Sequence, residues 1–117
     1  MAETTRPRSA RETELLERAR RCLPGGVLGT ARYADDAAFV VKHGAGSKLY
    51  DASGRDYIDY VLGSGPLILG HAHPAVVAAV REQIEAGSTY FIVNEPIIEL
   101  AEEICLAVHC AEQVRFN

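Results

Sequence analysis

The sequence lacks a surplus of basic residues, a long apolar run and closely spaced cysteines. Its 12 Lys and Arg stand against 16 Asp and Glu, for a formal net charge of −4, whereas a general nucleic-acid binder needs a basic surface. No stretch approaches the ~20 apolar residues of a membrane span, and the opening residues lack the apolar segment of a secretory signal. Cys22, Cys105 and Cys110 show no C-x-x-C spacing, which favours reduced thiols. We therefore expect a cytoplasmic protein that binds neither nucleic acid nor membrane.

What is present is the composition of an ordinary folded protein. Of the 117 residues, 48% are hydrophobic and 24% are charged, as in globular proteins, and the length fits one domain. Residues 1–8 are predicted to form a disordered tail. Ser9 and Glu12 then have the spacing of a capping box, so a helix is predicted over 10–22. Its clustered arginines and glutamates are typical of a solvated helix face.

A small antiparallel sheet is predicted after this helix. Residues 39–43 are rich in β-forming side chains, and 48–50 and 57–61 flank the turn Asp51-Ala52-Ser53-Gly54. Asp opens such a turn and Gly tolerates the left-handed position that closes it, so the two flanking segments predict a hairpin. Residues 9–70 are therefore expected to hold one helix and a small sheet.

Two more helices are predicted in the second half of the chain. Pro74 suits the first turn of a helix that ends near Ala86, and Asn94 can cap a third helix. Their expected inward-facing residues are Val76, Val77, Val80 and Ile84 on the former and Ile97, Ile98, Ala101, Ile104, Cys105 and Val108 on the latter. Residues 113–117 resemble the start of a strand, so the whole predicts an unfinished α+β arrangement.

Histidine and cysteine side chains give no convincing metal site. His71 and His73 are two residues apart, but no further ligand lies near them in sequence, and His73 at a helix entrance is placed to bond locally. Cys105, His109 and Cys110 near a helix end fit structural roles. No metal site is predicted.

Catalytic motifs are also missing. The glutamates of the third helix alternate with its apolar residues, which favours a solvated face over paired carboxylates. No nucleophile elbow, phosphate-binding loop or dinucleotide-binding glycine pattern stands between a strand and a helix. No catalytic residue is predicted in this chain.

Arg32 is the polar residue with the clearest potential for binding. It follows a Pro-Gly-Gly loop away from the charged helix, and a guanidinium there can hold a carboxylate through two hydrogen bonds. The alternative is an exposed arginine that pairs with Asp35 or Asp36.

An ordered set of motifs resembles the amino-terminal part of the class III aminotransferases, and within them the glutamate-1-semialdehyde aminomutase branch. The motifs are Leu23-Pro24-Gly25-Gly26-Val27, the hairpin from Leu49 to Tyr60, the segment Gly65-Pro66-Leu67-Ile68-Leu69-Gly70-His71-Ala72-His73-Pro74, and Glu99-Leu100-Ala101-Glu102 before Val114-Arg115-Phe116. The resemblance covers about residues 10–117.

The resemblance implies a fold-type I enzyme that uses pyridoxal phosphate, acts on amino-acid and keto or aldehyde substrates, and is a homodimer. It implies that residues 71–117 begin a large domain of which this chain holds only the start, including its first strand. The family's cofactor-binding lysine has no counterpart here, because Lys42 and Lys48 lie on the predicted sheet. The isolated chain is therefore expected to be inactive.

Two substrate-binding residues carry over from the family. Arg32 matches the position that holds the substrate carboxylate in the aminomutase branch. Ser64 falls where the aminomutase has an aromatic residue facing the cofactor, and Gly29 replaces a small polar residue near the substrate. A transaminase acting on amino acids or β-amino acids therefore fits as well as an aminomutase.

A different class of function stays open. The chain can be a non-catalytic interaction module or a decayed gene product, whose apolar helix faces dock on a partner subunit. Because those faces would be exposed in the free chain, partial order or self-association is expected.

Overall fold

Helices and strands follow in the predicted order: a helix, a small sheet and two more helices. The computed structural model describes residues 6–29 and 34–116. Its elements are α1 (Ala10–Cys22), β1 (Val41–Ala45), β2 (Lys48–Asp51), β3 (Asp56–Ile58), α2 (Pro74–Ala86) and α3 (Glu95–Ala107), with short 3-10 turns at Pro24–Gly26 and Leu62–Ser64. The predicted α+β architecture is confirmed.

Ser9 begins α1 as predicted. Its hydroxyl accepts a hydrogen bond from the Glu12 amide at 3.2 Å, which satisfies one of the free amides at the helix start. The Glu12 carboxylate does not turn back to the Ser9 amide as in a full capping box. It accepts bonds from Arg6, Ser53 and the Val40 amide instead, and this carboxylate thereby joins α1 to the sheet.

The three strands pair antiparallel in the order β1-β2-β3. The hairpin turn has the predicted form: the Asp51 carboxylate accepts bonds from the Ser53 and Arg55 amides, both at 2.9 Å, and Gly54 has a φ of 89°. β1 extends past its predicted end because the following residue, Gly46, bridges to His71 and keeps the chain extended.

β3 is shorter than predicted. It ends at Ile58, whereas the sequence favoured a strand through Val61, because the Asp59 carboxylate accepts bonds from the Val61 and Leu62 amides and starts a turn. Residues 113–116 carry no strand pairing in the described chain. A strand needs a neighbouring strand to bond to.

The chain forms two compact units, Met1–Val77 (unit 1) and Ala78–Asn117 (unit 2). The buried residues described in unit 1 are mostly polar: Glu12 and Asp51 are fully buried, and Asp59 and the apolar Leu16 are each 9% exposed. No helix within the described ranges is long and apolar enough to span a membrane.

Unit 2 holds the end of α2, a connecting segment and α3. The Asn94 side chain accepts a bond from the Ile97 amide at 3.3 Å, as predicted for the cap of α3. Several apolar positions of these two helices are exposed, as expected for the free chain, because the described residues do not cover them. Val80, Ile84, Ile98 and Val108 are 49%, 61%, 48% and 46% exposed.

Candidate functional site

Of the two residues that the sequence assigns to substrate binding, the structure describes Ser64 and not Arg32. Arg32 lies within 30–33, outside the described residues, so its role stays a prediction. Asp35, one of its alternative partners, pairs with Arg20, whose Nη2 is 2.8 Å from Asp35 Oδ1. Ser64 is described and lies exposed in the turn that follows β3.

The turn that carries Ser64 is left-handed throughout. Leu62, Gly63, Ser64 and Gly65 have φ values of 51°, 64°, 69° and 114°. An L-residue in this conformation costs about 1–2 kcal/mol, so Leu62 and Ser64 are strained. Such strain persists where surrounding contacts impose it, and it concentrates at functional sites.

A histidine and a carboxylate lie directly behind this turn. His71 Nε2 is 2.7 Å from Asp59 Oδ2, while Asp59 Oδ1 accepts bonds from the Val61 and Leu62 amides at 2.8 and 3.1 Å. The His71 ring and then the Leu62 amide hold the pKa of the Asp59 carboxyl below its usual range. The carboxylate is thus an acceptor at every one of these contacts.

The local hydrogen bond predicted for His73 is not found between residues that the structure describes, and His71 is the histidine whose ring bonds to another side chain. His73 was expected to bond locally, but its Nδ1 is buried without a hydrogen-bond partner among the described residues. The ring of His71 bonds instead to Asp59, 12 residues earlier in the chain, and the backbone bridge between Gly46 and His71 holds the histidine there. In the described part of the chain no group of three or more His, Cys, Asp or Glu is arranged to hold a metal ion.

A second polar cluster joins the start of the chain to the hairpin. The expected tail over residues 1–8 includes Arg6, whose guanidinium bonds to Glu12 at 2.8 Å and also contacts Asp51 and the Tyr57 hydroxyl. Phe39 and Tyr57 stack with ring centroids 4.6 Å apart, and the guanidinium carbon lies 5.5 Å from the Phe39 centroid. This cluster is the polar centre of unit 1.

Hydrogen bonds keep the two buried carboxylates of this cluster charged. Burial by itself raises the pKa of Glu12, but bonds from Ser53, Arg6 and the Val40 amide outweigh it and lower that pKa. Burial likewise opposes ionisation of Asp51. The Arg55 amide, the Tyr57 hydroxyl and the Ser53 amide lower its pKa overall. The cluster serves to hold α1 against the hairpin.

Unit 2 contributes an open apolar groove of about 510 Å³. It is lined by α3 and the segments on either side, chiefly Val93, Ile97, Ile98, Ala101, Cys105, Val114 and Phe116. Glu102 and Gln113 are its polar members. Such a lining can bury the apolar groups of a ligand or partner, but it holds few polar groups that could orient or react with a substrate.

Comparison with known proteins identifies the family. The family model described as aminotransferase class-III matches residues 30–117. The chain is 53% identical over 104 residues to glutamate-1-semialdehyde 2,1-aminomutase of Methanothermobacter thermautotrophicus, covering 89% of this chain and 25% of that protein. It is 47% identical over 111 residues to the enzyme of the same name from Syntrophomonas wolfei, covering 92% of this chain and 26% of that protein.

Solved structures give the same result. An omega-transaminase from Sphaerobacter thermophilus superposes with a TM-score of 0.80 at 36% identity, over 92% of this chain and 24% of that one. A glutamate-1-semialdehyde-aminomutase from Pseudomonas aeruginosa superposes with a TM-score of 0.70 at 26% identity, over 82% and 22%. The chain spans about a quarter of the length of the curated relatives it matches. These 117 residues therefore belong to the class III aminotransferase family.

Proposed function

We propose that this chain is the amino-terminal, substrate-facing part of a pyridoxal phosphate-dependent enzyme that moves an amino group between an amino acid and a keto or aldehyde acceptor. The observation that carries the proposal is the family match over residues 30–117, which includes the strained Ser64 turn. Because the matched relatives are about four times longer, most of the catalytic machinery is assigned to the part of them that this chain does not match.

The residues present do not fit covalent attachment of the cofactor. Pyridoxal phosphate, when bound, supplies an electron sink, and a lysine must offer it a free amine. Lys42 is exposed on β1. Lys48 pairs with Asp56, whose hydrogen bond raises the pKa of the lysine ammonium. The 117-residue chain alone is therefore proposed to be inactive.

Arg32 and Ser64 are the residues proposed to act on the substrate. Arg32 would orient the substrate carboxylate through two parallel hydrogen bonds. Ser64 would present a small hydroxyl, which leaves more room than an aromatic side chain, so transaminase and aminomutase reactions are both compatible with it. A homodimer in the cytoplasm is the proposed setting.

The Arg32 role is tested in the complete gene product. Arg32→Ala should raise KM for a carboxylate-bearing substrate about 10- to 100-fold, the loss expected for a hydrogen bond to a charged group, while Arg32→Lys should recover part of it. Arg20→Ala is the matched control, because Arg20 pairs with Asp35. Equal KM values for Arg32→Ala and Arg20→Ala would contradict the assignment.

The proposed inactivity is tested on the 117-residue chain with added pyridoxal phosphate. We expect no near-visible absorbance band that depends on a lysine. A band that Lys42→Arg or Lys48→Arg abolishes would overturn the proposal.

A second candidate is a non-catalytic interaction module. It is favoured by the exposed apolar segment of unit 2, where Phe91, Ile92 and Val93 are 108%, 81% and 72% exposed. The reading frame downstream of the Asn117 codon separates the two. A frame that continues into a Ser-Gly-rich turn supports the enzyme, and a stop codon supports the module.

A further inference from the structure

The left-handed turn at Leu62–Gly65 holds its shape against the preference of two of its residues. Leu62 and Ser64 both have positive φ, and the backbone bonds that close the turn, from Ser64 to Val61 and from Gly65 to Leu62, are 2.9 and 3.1 Å long. Bonds of this kind exist in ordinary right-handed turns too. Something else must select the left-handed form.

Besides a backbone bond from Leu67 to Leu62 at 3.2 Å, the turn is contacted by the carboxylate of Asp59. Val61 is right-handed, with φ −86° and ψ −34°, and the next residue Leu62 is left-handed. This alternation turns two successive amides toward one point, a geometry that binds anions. Here the anion is Asp59 Oδ1, which accepts from both amides at 2.8 and 3.1 Å.

The other carboxylate oxygen is held by His71. Its Nε2 must donate to Asp59 Oδ2, 2.7 Å away, because an ionised carboxylate only accepts hydrogen bonds. The backbone of His71 is bound in both directions to Gly46, at 2.9 and 2.8 Å. The backbone of His71 is thus bonded to the residue that follows β1, while Asp59 lies at the start of the turn.

Gly44 gives the histidine ring its space. A Cβ added at Gly44 would lie 2.4 Å from His71 Cγ and 2.7 Å from Nδ1, far inside contact distance. The φ of Gly44 is not left-handed. An alanine at this position would therefore clash with the His71 ring without straining its own backbone.

We propose that His71 is a positioning residue: through Asp59 it holds the Val61 and Leu62 amides and so sets the left-handed turn that presents Ser64. The conformational part of this inference stands on the contacts above. Its consequence for the reaction, that the tie determines where the Ser64 hydroxyl stands toward the substrate, rests on the proposed function.

The test compares three histidine variants by hydrogen exchange of the segment 60–70 in the complete gene product. His71→Ala removes the donor, and exchange of the Val61, Leu62, Ser64 and Gly65 amides should become about tenfold faster, as expected for loss of one bond to a charged group. His71→Gln can return an N–H near the position of Nε2 and should restore slow exchange. His43→Ala is the matched control, because His43 stacks on Tyr50 in the same sheet.

Gly44→Ala tests the same tie without changing either partner. It should speed exchange in the same segment by displacing the His71 ring, and the added effect should disappear in the Gly44→Ala/His71→Ala double variant, because the ring is then absent. If either single variant proves unfolded, the other still reports on the tie.

The outcomes separate this inference from the proposed function. Faster exchange confined to residues 60–70 in His71→Ala, with rescue by His71→Gln, supports it whether or not the protein binds pyridoxal phosphate. Unchanged exchange there, or an equal increase throughout unit 1, overturns it. A shift of KM with little change in kcat in His71→Ala would also support the consequence for the reaction, namely that the tie positions the Ser64 hydroxyl toward the substrate. Unaltered KM and kcat alongside faster exchange would overturn the consequence for the reaction.

Discussion

Unit 1 has a buried polar cluster among its described residues, and unit 2 has no buried charged residue among its own. Unit 1 is held by a polar cluster in which Arg6 contacts the fully buried Glu12 and Asp51, and its turns are fixed by carboxylates bonded to backbone amides. Unit 2 carries large apolar side chains that are exposed, among them Phe91 and Ile92 in the segment between its helices and Leu106 on α3.

The difference shows which contacts each unit makes by itself. Hydrogen bonds and ion pairs are directional, and the polar contacts described for unit 1 are made between residues of unit 1 itself, even where the partners are as far apart in sequence as Arg6 and Asp51. Burial of apolar surface needs area, and the described residues of neither unit supply enough of it: Leu28 and Ile68 of unit 1 are each 84% exposed, as Ile92 of unit 2 is 81% exposed. What sets unit 1 apart is its buried polar cluster. Four experiments can break or sharpen this comparison.

The largest effect is expected from Arg6→Ala. It leaves Glu12 and Asp51 buried without their cation, which costs about 3–5 kcal/mol when one partner of a buried ion pair is removed. Urea unfolding followed by circular dichroism measures this loss. Arg11→Ala breaks an exposed pair with Glu14 and should cost at most about 1 kcal/mol. Similar losses in both variants would contradict the importance of the Arg6 cluster.

Acid should act on unit 1 through the same carboxylates. The pKa values of Glu12 and Asp51 lie below their ordinary 4.5 and 3.8 in the folded chain, so the unfolded chain binds more protons as the pH falls past those values. The stability that these two carboxyls contribute should therefore be constant from neutral pH down to about pH 5 and then decrease through the lowered pKa values.

Urea midpoints measured from pH 7 to pH 3 test this dependence. Glu12→Gln removes one of the two carboxyls and should flatten the decrease. A profile in Glu12→Gln as steep as in the unmodified chain would contradict the role of Glu12.

Helix caps allow a smaller, matched comparison of the units. Ser9→Ala and Asn94→Ala each remove a side-chain acceptor at a helix start, for which about 1 kcal/mol is typical. The Ser9 change should cost more, because its hydroxyl also bonds with Ser53 at 3.1 Å. Hydrogen exchange at the start of α1 and of α3 measures both. A larger effect at Asn94 would reverse the comparison.

The smallest effect on stability is expected in the exposed segment of unit 2. Phe91→Ser and Ile92→Ser should change the free energy of unfolding by no more than about 0.5 kcal/mol, because neither side chain is buried. They should reduce self-association of the free chain in sedimentation experiments. A monodisperse monomer with a sharp two-state melt before any substitution would show that unit 2 is not associative.

Local signals in the sequence predicted the elements well. The Ser9 and Asn94 caps, Pro74 at the start of α2 and the Asp51–Gly54 turn were all recognisable, because each depends on residues within four positions of one another. The apolar faces of α2 and α3 were recognisable as well, and Ile84, Ile98 and Val108 are exposed as expected for the free chain, since periodicity shows which face is apolar but not what covers it.

The candidate site was only partly visible in the sequence. Ser64 was singled out through the family resemblance, while Asp59 and His71 were not connected, because they are 12 residues apart and lie in different elements. The signal that could have joined them is an acid after a strand, followed by a glycine-rich turn. Arg6 was assigned to a tail for the same reason, since its partner Asp51 is 45 residues away.

The sequence by itself determined the family, the order of helices and strands, and the lysine positions that do not fit cofactor attachment, because all of these are written in local spacing and motif order. Tertiary structure alone decided that Glu12 leaves its capping box for Arg6 and that His71 holds Asp59 behind the Ser64 turn. A polar side chain bonds to whichever partner the fold brings within about 3 Å, and that partner is set by three-dimensional proximity.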